Sequence, residues 1–138
     1  MLHIKKIKPL FTSIVTTGER YEEDMYDNGI IVANKGDLKT YQTVVAVGST
    51  VRDIAVGDKV MLNFANYAVR KYDKNSIQND LDNNPKIRFE FNWVQVDDEE
   101  GNPQDCMLFS DRDVLFCFEG EEVQGSPLIV PDKKIITN

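Results

Sequence analysis

Few residues in this 138-residue chain have the types and spacing that chemistry needs. There is one histidine, His3, and there are two cysteines, Cys106 and Cys117. A nucleophile needs a base beside it, and the only imidazole lies in an alternating apolar and basic stretch that reads as an edge strand. The cysteines form no Cys-x-x-Cys pair and are too few for a disulfide framework, so they read as reduced thiols packed near a core. Asp111 and Asp113 are a close carboxylate pair, but Ser110 precedes them, and the three read as the cap of a single helical turn. The run Asp80-Leu81-Asp82-Asn83-Asn84-Pro85 begins like a calcium loop. It fails at the sixth position, where Pro85 replaces the turn glycine, and at the twelfth, where Phe91 carries no carboxylate. No Gly-x-Gly-x-x-Gly follows a strand pattern. No catalytic residue, no metal ligand set and no cofactor is assigned to this chain.

Composition narrows the classes that remain. The length suits one domain, and 41% hydrophobic residues suffice for a core. The net charge of -7 argues against nucleic acid as a partner, because phosphate binding needs a basic footprint. No apolar run approaches the roughly 20 residues that cross a bilayer, and Leu2 to Leu10 lacks the apolar region of a signal peptide. The expectation is a cytoplasmic protein with no membrane partner.

The pattern along the chain is that of short strands. Met1 to Lys8 alternates, with lysines for a wet side, and Phe11 to Thr16 is a second strand. Thr17 to Asp27 is polar and acidic with little period. Asn28-Gly29 then signals a turn, and Ile30-Ile31-Val32 is an apolar triplet inside a long polar loop, which reads either as a short core strand or as an exposed hydrophobic bait kept for a partner. Tyr41 to Val47 and Lys59 to Phe64 are the central strands, with Gly48 and Gly57 where each must bend. Tyr67 to Tyr72 is the next strand, and Asp73 to Pro85 a solvated loop. Lys86 to Val96 alternates around Ile87, Phe89, Phe91 and Trp93, with a phase slip after Trp93. Asp97 to Asp105 is an acidic turn, Cys106 to Phe109 returns as a hairpin, and Val114 to Phe118 is the last strand. Residues 120–138 read as an extended tail, and their Leu128-Ile129-Val130 as chance.

The order of five segments resembles the GroES-type co-chaperonins, the lids of bacterial chaperonin rings, including diverged versions that phages encode. The segments are Ile7-Lys8-Pro9-Leu10, Asn28-Gly29-Ile30-Ile31-Val32, Val44-Val45-Ala46-Val47-Gly48, Val56-Gly57-Asp58-Lys59-Val60-Met61 and Met107 to Leu115. The resemblance implies an all-β, GroES-like small β-barrel over residues 1–119, with a long mobile loop at 17–35 and an extra β-hairpin insertion at 73–105. It implies that Gly29, Ile30, Ile31 and Val32 dock into a GroEL-type chaperonin. It also implies a head-to-tail homo-oligomer, a heptamer, in which the first strand (Ile4, Ile7, Lys8) pairs with the last strand of the next subunit (Leu115, Phe116, Phe118). ATP would be bound by the partner chaperonin, and an unfolded client protein would occupy the capped cavity. The short Gly48–Ala55 connection departs from the family's roof hairpin, which phage-type lids also lack.

Energetics explains why a ring belongs to that expectation. Burying three aliphatic side chains yields roughly 5–9 kcal/mol. Ordering about ten loop residues costs on the order of 10 kcal/mol. A single loop nearly breaks even, and several acting together give useful, reversible affinity. Two other classes are weighed against the lid. GroES-like barrels also occur in zinc-dependent alcohol dehydrogenases, but this chain lacks their ligand spacing and a dinucleotide fold. A structural or assembly protein, of a phage for example, would reuse the barrel without binding a chaperonin.

Overall fold

The computed structural model describes residues 2–71 and 86–125. The loop expected at Asp73–Pro85, with its calcium-like run, lies outside the described residues, as does Leu128-Ile129-Val130. The described chain is all-β, with two short 3-10 turns. It folds as two compact units. The first comprises Met1–Thr17 and Thr40–Phe118; the second comprises Gly18–Lys39 and the chain from Glu119, described as far as Gly125.

The first unit contains a seven-stranded sheet. Its strands are β1 (His3–Ile4), β2 (Ser13–Thr17), β5 (Tyr41–Val47), β6 (Lys59–Leu62), β9 (Asn92–Asp97), β10 (Pro103–Ser110) and β11 (Val114–Phe118), in the order β1-β9-β10-β2-β5-β6-β11. All pairs are antiparallel except β1 with β9, which is parallel with Ile4 opposite Val96. The centre is β2, whose Ile14, Val15 and Thr16 are fully buried between β10 and β5. Valine and isoleucine suit this pleated, two-sided environment. Val44, Val60, Leu62, Cys106, Met107 and Phe109 complete the apolar interior. Buried polar groups are partnered: Thr17 Oγ1 donates to Gln42 Oε1 at 2.9 Å and accepts from Thr43 N at 3.1 Å.

Several boundaries differ from expectation, each for a physical reason. No closed barrel forms: among the described residues β1 and β11 are the two ends of the sheet and do not pair with each other. The first strand is only His3–Ile4, and Ile7 packs beside Ile4 against the cluster of Val15, Val96 and Cys106 instead of extending the strand. The segment expected as one strand over Lys86–Val96 is two. β8 (Lys86–Phe89) pairs with β7 (Ala68–Lys71) in a separate two-stranded sheet, and the chain breaks at Glu90-Phe91 before β9. Part of the stretch expected as an inserted hairpin joins the main sheet: β9 lies between β1 and β10 and carries buried Val96.

The break at Glu90-Phe91 follows from where the aromatic rings must go. Phe91 packs on Phe64 at 4.6 Å, Tyr67 at 5.5 Å and Phe109 at 5.8 Å between ring centroids. The turn Phe64–Tyr67 positions the first two rings, and Tyr67 Oη donates to Asp113 Oδ2 at 2.6 Å. Asp113 is buried and also accepts from Ser110 N and Asn66 Nδ2, so its carboxylate is well satisfied. Ser110 accepts from Arg112 N in a capping box over Asp111–Asp113, the cap read from the sequence. Burial, and then the hydrogen bond to Asp113, raise the Tyr67 hydroxyl above its ordinary pKa.

Gly48 ends β5 where the backbone comes very close to Phe11. A Cβ at position 48 would stand 2.2 Å from the Phe11 carbonyl oxygen and 2.7 Å from its carbon, both backbone atoms. Gly48 N donates to Ser13 O at 2.8 Å and fixes this approach. Gly48→Ala is therefore expected to lower stability by about 2–4 kcal/mol, measured as a fall in the urea midpoint with the slope unchanged; an unchanged midpoint would refute the close approach.

Candidate functional site

Of the stretch read as a loop over 17–35, Thr17 ends β2 in the first unit, and the chain from Gly18 on is a hydrogen-bonded hairpin in the second. Strand β3 (Met25–Asp27) pairs antiparallel with β4 (Ile30–Ala33), and Asp27 faces Ile30 across a two-residue turn. That turn is Asn28-Gly29, with φ of 51° and 79°. Both central residues lie in the left-handed region, as a type I′ hairpin requires, and this is why the Asn-Gly signal closes a hairpin. Below the hairpin the ladder continues. Tyr21 N donates to Asp37 O at 2.9 Å, Gly36 N to Tyr21 O at 2.8 Å and Lys39 N to Glu19 O at 3.0 Å. Arg20 and Leu38 form a further bridge. Asp24 Oδ1 accepts from Lys35 N at 2.7 Å, and Asp37 Oδ2 from Asn34 N at 2.9 Å. Asp24 thus bonds across to the opposite backbone, and Asp37 closes the turn at 34–37.

The apolar triplet lies in β4. Successive side chains of a strand point to opposite faces, so a strand packed on one side buries alternate residues. Here Ile30, Ile31 and Val32 are 64%, 47% and 61% exposed. Ile30 and Ile31 point to opposite faces, Val32 stands at a shift in the β3–β4 register, and among the described residues none of the three is covered, whereas Ala33 is half-buried. Gly29, expected to belong to the same docking element, forms the turn that sets them at the hairpin tip.

The residues expected at a subunit interface divide into two groups. Ile4 and Ile7 are half-buried against this chain's own core, and Lys8 is exposed. On the opposite edge of the sheet, the pairing of β11 with β6 shifts register between Val114 and Phe116. A bulge breaks the strict alternation of faces, and consecutive Leu115 and Phe116 are 59% and 51% exposed. Phe118 packs edge-on against Tyr41 at 5.7 Å. His3 Nε2 meets Asp97 Oδ1 at 2.7 Å and ties β1 to β9.

An open cleft of about 520 Å³ lies elsewhere on the first unit, lined by Thr43, Val44, Val45 and Val56 and by the turn Asp97–Glu100. Its lining includes no histidine, cysteine or lysine. Among the described residues no group of three His, Cys, Asp or Glu is arranged to hold a metal ion. Among the described residues no helix is long and apolar enough to cross a membrane. Neither a family model nor a curated protein matches the chain. The geometry of the hairpin and the sheet edges therefore carries the functional argument.

The cysteines separate by environment. Cys106 is fully buried, and desolvation, with Asp105 nearby, pushes its thiol up to about 11. Cys117 is exposed, and its thiol is also raised, by desolvation and then by Asp58 and Asp53. The thiolate is the reactive form. In the native protein at pH 8 a maleimide is expected to label Cys117 slowly and to spare Cys106 until denaturant is added, as read by mass spectrometry of the labelled peptides.

Proposed function

We propose that this chain is a subunit of a co-chaperonin-like ring that caps a GroEL-type chaperonin and assists ATP-dependent folding of a client protein. The observation that carries the reading is the solvent-exposed Ile30-Ile31-Val32 on both faces of a hairpin tip. Exposed aliphatic residues grouped in this way fit a partner's hydrophobic groove. Docking the three would yield roughly 5–9 kcal/mol. A hairpin that already holds its shape loses less backbone entropy on binding than an irregular loop does. The two ends of the sheet support the oligomeric part of the reading. β1 and β11 each have one edge without a strand partner among the described residues, and Leu115 and Phe116 lie exposed at the second. Pairing β11 of one copy with the first-strand edge of the next, near Ile4 to Lys8, gives a head-to-tail contact that closes into a ring if the rotation suits, a heptamer in the family that the chain resembles. The nucleotide would belong to the chaperonin, and the reading places the protein in the cytoplasm.

One observation favours a second reading. The hairpin is laddered along its length, which suits a fixed contact surface in a structural or assembly protein, of a phage for example. ATP-dependent co-migration with a bacterial chaperonin on a sizing column separates the two, because an assembly protein would not respond to nucleotide.

Ile31→Asp is expected to abolish co-migration, since a docked interface would bury an unpaired charge. Its circular dichroism and thermal midpoint should match the parent protein, because Ile31 is exposed. Normal binding by this variant would exclude the docking role of the triplet. Leu115→Lys combined with Phe116→Lys is expected to shift the protein from ring-sized to monomer-sized elution with the sheet intact; an unchanged elution volume would exclude β11 as the contact edge.

A further inference from the structure

The chain after β11 returns to the hairpin. Within the second unit, Gly125 N donates to Tyr26 O at 2.9 Å. Tyr26 N donates to Gln124 Oε1 at 2.9 Å, and Gln124 Nε2 donates to Asp24 O at 2.9 Å. Tyr21 Oη donates to Glu122 Oε1 at 2.9 Å. The N–H and C=O of one strand residue point to the same side, so both polar groups of Tyr26 are taken on the edge of β3 that faces away from β4. The side-chain amide of Gln124 accepts and donates in the places where a neighbouring strand's peptide group would. Position 125 is fitted to this contact. A Cβ there would lie 2.3 Å from the Tyr26 carbonyl oxygen and 3.1 Å from Asp27 Cα.

We propose that Glu122–Gly125 is a strap that completes the β3 edge as a partial third strand and holds the Ile30–Val32 tip in its presented shape, with Gln124 and Gly125 as positioning residues. A two-stranded hairpin is marginal by itself in water, and a third strand is what makes such a unit persist. The strap also occupies an edge that would otherwise accept another chain. Burial, and then the hydrogen bond to the Glu122 carboxylate, push the Tyr21 hydroxyl up to about 12. The consequence for docking rests on the lid reading above; the strap itself does not.

The test uses the full chain with Gly125→Val and, separately, Gln124→Ala, and with Glu121→Gln as a control at an exposed neighbour. Amide hydrogen exchange is measured at Tyr26 and at Ile14 and Val15 in the central strand. Affinity for a bacterial chaperonin is measured in the presence of ATP. Exchange at Tyr26 is expected to speed about tenfold in both variants, with Ile14, Val15 and the control unchanged. Chaperonin affinity is expected to fall about tenfold without being abolished. Unchanged exchange at Tyr26 would overturn the strap. Faster exchange with undiminished affinity would overturn its positioning role. Should the parent chain bind no chaperonin, the lid reading falls, and exchange at Tyr26 still decides the strap.

Discussion

Complete burial of the middle of β2 is the constraint on which the main sheet depends. Ile14, Val15 and Thr16 have no solvent exposure, which requires a strand on each edge and cover on each face. The edges are β10 and β5, whose Met107 and Val44 stand opposite Thr16, and Val15 packs in a cluster with Val96 and Cys106. A backbone so enclosed has no water to bond, so every polar group must find a protein partner. Thr17, Gln42 and Thr43 form such a set of partners beside it. The close approach of Gly48 to Phe11 follows from the same enclosure. β5 must end against the turn that feeds β2, and only a residue without a side chain fits.

The two ends of the sheet contrast with its middle. Strand order puts β1 and β11 at the margins, and the β11 bulge exposes neighbouring aromatic and aliphatic side chains there. Long apolar edges are normally blunted by charge or shortened. β1 is blunted by its two-residue length and by the lysines that follow, whereas Leu115 and Phe116 are not. That asymmetry is what a heterologous, head-to-tail contact would use.

The hairpin unit is held together differently. Among its described residues Met25 is the buried one, and the unit relies on a ladder of backbone bonds, the Asp24 carboxylate that accepts from Lys35 N, and the returning C-terminal segment. Among the described residues the hairpin buries little apolar surface, and its aliphatic triplet is exposed.

Much of this was legible locally. Asn28-Gly29 closes a hairpin because asparagine and glycine tolerate positive φ, and Ser110 caps a turn because its hydroxyl reaches a free backbone N–H. The runs of valine and isoleucine mark the central strands because β-branched side chains fit a pleat. The triplet Ile30-Ile31-Val32 was visible as an oddity, but its exposure was not, since a core strand and a bare one read alike without knowing what packs on them. Strand order, the parallel pairing of β1 with β9 and the break at Glu90-Phe91 depend on contacts between residues far apart in the chain. The bond of Gln124 to Tyr26, across nearly a hundred positions, leaves no local pattern at all. The sequence by itself determined the strands, turns and caps, because these answer to neighbours a few residues away. Only the tertiary structure decided which edges stay open and which side chains stay in water, because burial is a property of what the rest of the chain covers.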